Sequence, residues 1–204
     1  MAKSTRKKAY HHGDLRTTIL KAAVSLIAER GLHGLSLREC ARRAGVSHAA
    51  PYRHFQDKNA LLLAIAREGF DGLAEAGEQA MLGITDPRQR LDAYGATYVR
   101  FAVEHPVHHK VMFASELETP SAQDKASGTR AFELLVETAA AVVGPEQAEL
   151  AAVASWSLSH GLSMLILDGR IPQDRVSSPE DAEELTRALI AQWRGPLTLA
   201  SPPS

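Results

Sequence analysis

The sequence predicts an all-α protein in two parts, a short basic front and a longer acidic remainder. Sustained period-two alternation is absent, while helix start and stop signals recur along the 204 residues. The third observation is a charge asymmetry hidden by the net charge of −1. Residues 1–60 hold 12 Lys and Arg against 4 Asp and Glu, a balance of +8, and the other 144 hold 11 against 20, a balance of −9. Such a split suggests an anionic partner for the front alone. A composition 45% hydrophobic and 23% charged is that of a soluble globular chain able to bury a core.

The elements follow in order. The start, MAKSTRKKAYHHGD, is basic, and residues 1–9 read as a flexible arm. Leu15, Ile19, Ala22, Ala23, Leu26 and Ile27 form one face of a first helix, which Arg30-Gly31 ends. Ser36 and Glu39 are spaced as a capping box, in which the Ser hydroxyl takes the Glu39 N–H and the carboxylate reaches back. Leu37, Cys40, Ala41 and Ala44 give the second helix a core stripe, and Gly45 supplies its stop. Ser47 is placed to cap a short third helix ending near Phe55, and Asp57 a fourth beginning at Lys58. Gly69, Gly72 and Gly77 mark either a bend in that helix or a weak end. Asp86-Pro87, Pro106, Gly144-Pro145 and Ser178-Pro179-Glu180-Asp181 open the later helices. A loop is expected near Ser121–Thr129, a stop at Gly195-Pro196 and a frayed tail over 196–204.

Several functions are excluded or weakened. One cysteine, Cys40, allows neither a disulfide framework nor a zinc cluster, and its apolar helical position suits a packing thiol. No apolar stretch follows the basic start as in a secretory signal, and serines break the apolar run Leu150–Leu167, so a cytoplasmic protein without a membrane span is expected. Neither G-x-S-x-G, a P-loop nor a Rossmann glycine fingerprint occurs, which argues against an enzyme. Glu104, His105, His108 and His109 cluster, but Pro106 interrupts them and no third ligand converges. They read as surface histidines, and neither a metal nor another cofactor is expected.

Two short helices joined by a glycine turn, the second rich in polar and aromatic groups, describe a helix-turn-helix. The turn would aim the start of the third helix outward, toward a DNA major groove, while the basic front meets phosphates. These residues resemble the tetracycline-repressor-like (TetR/AcrR) transcriptional regulators: Ser36, AGVS at Ala44–Ser47, YRHF at Tyr52–Phe55 and Asp57-Lys58, within about residues 10–65. Pro51 departs from the usual leucine, Cys40 from Ile or Val, and Asn59 from Glu. Proline in a first helical turn need not break the helix. The resemblance implies phosphate contacts from Tyr52, His54 and Lys58, and base reading by His48, Ala49, Ala50 and Arg53, next to the cap Ser47. Arg38 in the supporting helix can grip a guanine. Phe55 is expected to pack the core, and Tyr52 to bury its ring with its hydroxyl outward. The basic arm is either a minor-groove contact or a disordered tail.

The domains then read as 10–58 for DNA binding and 59–195 for regulation and dimerisation. Trp156-x-x-x-His160-Gly161 with LDGRI at Leu167–Ile171 resembles a Trp/His-Gly subgroup of the family. The resemblance implies a homodimer built by the last two long helices and a small-molecule pocket. Ala151, Ser155, Ser159 and Ser163 put small side chains at i+4 spacing for close helix approach, and Leu185, Leu189 and Trp193 share a face. The pocket is expected to take a small, largely apolar effector, bordered by Tyr98, Phe101, Met112, Phe113, Phe132, Trp156, His160 and Met164. The implied function is a repressor that binds a pseudo-palindromic double-stranded DNA operator and releases it on binding effector. The alternative is a helical adaptor whose basic front binds an acidic protein.

Overall fold

A computed structural model describes the backbone of residues 12–114, 117 and 122–192, and the side chains there except at 12–14 and 122–125. The basic arm, the stop at Gly195-Pro196, the tail and Trp193 lie outside the described residues. Among the described residues there are eight α-helices and no strand: α1 His12–Arg30, α2 Leu37–Arg43, α3 Lys58–Ala80, α4 Pro87–Glu104, α5 Pro106–Met112, α6 Ala122–Val143, α7 Ala148–Leu167 and α8 Pro179–Gln192.

The caps explain the boundaries. Ser36, Asp57 and Asp86 each accept the N–H three residues on, at 3.2, 2.8 and 2.8 Å. The box at Ser36 is half formed: the Glu39 carboxylate turns to Arg42, with Nε donating at 3.0 Å, and to Arg30 at 3.4 Å. Two guanidinium groups outcompete one backbone N–H for it. Gly45, at φ 67°, ends α2 in a Schellman turn, with Val46 N–H donating to Ala41 and Gly45 N–H to Arg42.

The expected third helix does not form as an α-helix. Between Ser47 and Phe55 only Pro51–Arg53 is helical, as a single 3-10 turn. In an α-helix the N–H of residue 51 would bond to Ser47, and proline has none. The carbonyl of Ser47 takes the Ala50 N–H instead, at 2.9 Å, and that of Ala50 takes Arg53, at 3.2 Å. Pro51 fills the buried place in this segment, leaving Tyr52 52% exposed, so the Tyr52 ring is not in the core. Phe55 is in it, beneath the Arg16 guanidinium at 5.2 Å.

The first core cluster joins α1, α2 and Phe55 to the front half of α3, through Leu61, Leu62 and Ile65, and to Val111 of α5. Cys40 lies at its centre, its thiol pushed up to about 11, mainly by burial, and so protonated. Helix α3 continues unbroken past its three glycines. They do not end it, and they mark close approaches: a Cβ at Gly77 would fall on the Tyr94 ring and one at Gly69 on Met112. The segment expected as a loop near 121–129 is helical from Ala122 onward, because good helix formers at Ala122, Gln123, Lys125 and Ala126 outweigh Gly128.

The remaining helices form a bundle. The small-residue stripe of α7 faces inward, with Ser159 and Ser163 buried and a Cβ at Gly95 of α4 only 3.2 Å from the Ser159 hydroxyl. The close approach is therefore within the chain. The residues α7 turns outward include four large apolar ones, Leu150, Val153, Met164 and Leu165. Its serines do not stop Pro145–Leu167 from being long and apolar enough to cross a membrane, by length and composition alone, with 22% of it buried. Leu185 and Leu189 of α8 pack against the core that α4 and α7 share.

Candidate functional site

Two places gather the chemistry. The first is the corner formed by the start of α2, the turn after it and the start of α3. Arg38, Ser47, His48, Ala49, Tyr52 and Arg53 are exposed there, and Ala50, His54 and Lys58 half-buried. Charge distribution separates these residues from the arginines beside them. Arg43 is clamped by Glu29, with a guanidinium nitrogen donating at 2.7 Å, and Arg30 and Arg42 share Glu39. Each of these pairs holds its carboxyl below the usual range, first through the arginine hydrogen bond. Among the described residues, Arg38, Arg53 and Lys58 have no carboxylate in ion-pair reach. The local fold pairs one set of cations with carboxylates and leaves the other without them.

The second place is a cavity of about 260 Å³ between α3, α4, α6 and α7. Of the eight residues expected to border it, Tyr98, Phe113, Phe132 and Trp156 do. The other four do not. Phe101 turns to His105, with ring centroids 4.6 Å apart, and Met112 fills the space over Gly69. His160 and Met164 open instead on a cleft of about 480 Å³ beside Leu32, Lys110 and Asp168. One helical turn moves a side chain from one chamber to the other, and spacing on α7 alone does not say which. Phe70, Leu73, Tyr94, Gly128, Ala131 and Leu135 complete the wall, and all six are absent from the set expected from sequence. A signal existed for four of the lining residues: Gly128, Ala131, Phe132 and Leu135 fall on one helical face. A loop at 121–129 would conceal it.

A buried polar knot lies behind the cavity wall. The Tyr98 hydroxyl is 2.8 Å from His160 Nδ1 and 3.3 Å from His109 Nε2, and the Trp156 indole donates to it at 3.4 Å. One hydroxyl proton and two acceptor sites satisfy all three if Tyr98 donates to His160 and His109 donates to Tyr98. His109, expected at the surface, is 2% exposed. Burial, aided by His160, pushes it down to about 4, and burial also lowers His160. Both rings are thus neutral near pH 7. The Tyr94 hydroxyl donates to the Ala131 carbonyl at 2.8 Å, and burial raises both tyrosines well above their usual range. No group of three or more His, Cys, Asp or Glu among the described residues can hold a metal.

Residues 19–65 match the family described as bacterial regulatory proteins, tetR family, and residues 91–193 match a tetracyclin repressor-like C-terminal domain. The chain belongs to the tetR family. Members are transcription regulators rather than enzymes, and this chain shares their arrangement of a helix-turn-helix and a helical C-terminal domain. A structure from Rhodococcus sp. RHA1, of unknown function, is 32% identical, with a TM-score of 0.75 over 91% of this chain and 98% of that one. PfmR, a TetR family transcriptional regulator from Thermus thermophilus, is 26% identical, with a TM-score of 0.63 over 87% and 95%. Among curated relatives, the transcriptional activator FasR of Mycolicibacterium smegmatis is 34% identical over 51% of this chain. The match spans 48% of FasR's own length. The regulator BetI of Yersinia pestis is 40% identical over 38% of this chain and 40% of its own.

Proposed function

We propose that the chain is a ligand-responsive, dimeric transcriptional repressor acting in the cytoplasm. It grips a pseudo-palindromic DNA operator through the segment from Ser47 to Phe55 and lets go when a small, largely apolar effector enters the cavity. The observation that carries this reading is the contrast among the basic residues at the corner. Among the described residues, Arg38, Arg53 and Lys58 stand without acidic partners, while Arg43 pairs with Glu29 and Arg30 and Arg42 share Glu39. Tyr52, His54 and Lys58 serve phosphates, and Arg38, His48, Ala49, Ala50 and Arg53 face bases beside Ser47. The DNA-binding head takes residues 10–58 and the regulatory body 59–195, with α3 rooted in the core of both.

Two half-sites need a two-fold partner. The outward residues Leu150, Val153, Met164 and Leu165 of α7, with α8 beside them, are the surface a second copy would cover. Release is a population shift: the effector must bind the form whose two heads no longer match the half-sites better than the form whose heads do. FasR is by name an activator, and the sign of regulation is read by the reporter below.

The test is fluorescence anisotropy on a labelled duplex from upstream of the chain's own gene, against a random duplex, over a salt series and beside Tyr52→Ala. Preference for the upstream duplex, lost in the variant, is expected. Equal binding to both duplexes would refute sequence-directed recognition, and no binding at low salt would favour the adaptor. A reporter driven by the same region, raised when the gene is deleted, gives the sign.

A further inference from the structure

The charge and size of the cavity narrow what can enter it. No charged side chain lines it among the described residues, and six of the ten that do are aromatic. The polar atoms in that wall are already engaged. Tyr94 gives its proton to the Ala131 carbonyl, Trp156 donates to Tyr98, and the Tyr98 hydroxyl is shared between His109 and His160. No described buried side-chain polar atom lacks a partner. Among the described residues a guest therefore finds neither a counter-charge nor an unused hydrogen bond.

We infer that the effector is a compact, uncharged aromatic or alicyclic hydrocarbon-like molecule, and that the cavity rejects its carboxylate counterpart. This inference rests on the proposed effector site and names its ligand class. A carboxylate entering without a partner loses its hydration and regains nothing, whereas a hydrocarbon leaves water for carbon. Size follows from comparison: an apolar cavity of about 150 Å³ accommodates benzene. One of about 260 Å³ suits a bicyclic ring or an alkylbenzene. Gly128 of α6 lies beside Phe70 in the cavity wall. A Cβ there would stand 3.8 Å from the ring, in ordinary contact.

The test uses the full chain and matched pairs, naphthalene with 2-naphthoate and 4-isopropyltoluene with 4-isopropylbenzoate, by titration calorimetry and thermal shift. Both neutral compounds are expected to bind and stabilise, each carboxylate more weakly by about 100-fold or more. Gly128→Ala adds one methyl to the cavity without a clash and favours the helix, so the variant folds and is expected to bind naphthalene more weakly. A carboxylate that binds as tightly as its neutral partner, with the same sensitivity to Gly128→Ala, overturns the inference while leaving an effector site in place. Neutral binding that ignores Gly128→Ala overturns it by placing the guest elsewhere. Binding of neither member of either pair overturns it and counts against the effector site as well.

Discussion

The two ends of the chain handle polar groups in opposite ways. At the corner proposed to meet DNA, Arg38, Arg53 and Lys58 have no carboxylate in ion-pair reach among the described residues, while Glu29 and Glu39 are spent on other arginines. Inside the regulatory body, the hydroxyls, imidazoles and indole around the cavity satisfy one another. In the proposed function the first arrangement would recruit an anion and the second would refuse one. A protein that holds DNA and senses an apolar molecule would need both, kept apart so that neither partner enters the other's site. Perturbations should separate the two regions accordingly, with the largest effects on stability inside the body.

His109 should show the largest. Its pKa near 4, against an ordinary 6.5, means that the fold disfavours the imidazolium. As pH falls, the unfolded chain takes up that proton first. Stability is thus whole above about 6.5 and is lost as pH falls toward about 4, by about 3 kcal/mol from this residue. Protonation of His160 adds to the conflict, since Tyr98 would then face three donors. His109→Gln keeps a neutral N–H donor and should flatten this part of the profile. Urea denaturation of both chains from pH 7 to 4 checks it, and equal losses in the two would show that His109 is not the group responsible.

Glycine offers a finer comparison, because each region uses one for a different reason. Gly45 has φ 67° and nothing within 4 Å of a notional Cβ, so Gly45→Ala should cost about 1–2 kcal/mol through backbone strain alone. Gly77 is helical, and its notional Cβ lies 2.1 Å from Tyr94 Cε2, so Gly77→Ala should cost about 1–3 kcal/mol through overpacking. Asparagine separates the causes. It tolerates the left-handed region and should recover most of the loss at 45, but should deepen it at 77. Denaturation midpoints of the four variants decide the matter, and Gly77→Asn as stable as Gly77→Ala would show that Tyr94 can move aside.

How much of this is legible in the sequence depends on how local each feature is. The caps Ser36, Asp57 and Asp86 and the stop at Gly45 act within a few residues, and each forms as its spacing implies. The corner around Arg38 and Lys58 is readable for the same reason. Pro51 stands out in the sequence, but its full effect does not: one missing N–H in so short a segment leaves a 3-10 turn. The cavity needs side chains from four helices at once, and one-dimensional spacing cannot distinguish Tyr98, which lines it, from Phe101, one turn further on and facing His105. The same blindness puts His109 at the surface and aims the Ser159 stripe at a partner. In both cases an inward face passes for an outward one, because the covering atoms come from another helix, α4, through Tyr98 and Gly95.

The smallest stability effect belongs to the corner, where the consequence should appear in DNA binding instead. Lys58 opens α3, half-buried, with no carboxylate in reach among the described residues. Lys58→Ala should change stability by no more than about 0.5 kcal/mol, as surface substitutions do. If Lys58 meets a phosphate, the variant should weaken binding to specific and random duplexes alike, and the slope of log K against log salt should become shallower by about one. Arg42→Ala is the control. That guanidinium is engaged with Glu39, so its removal deletes a cation already paired within the fold and leaves Glu39 to Arg30 alone. A slope change in Arg42→Ala as large as in Lys58→Ala would mean that net charge alone drives binding. A change confined to Lys58→Ala would mean that pairing within the fold selects which cations the DNA meets.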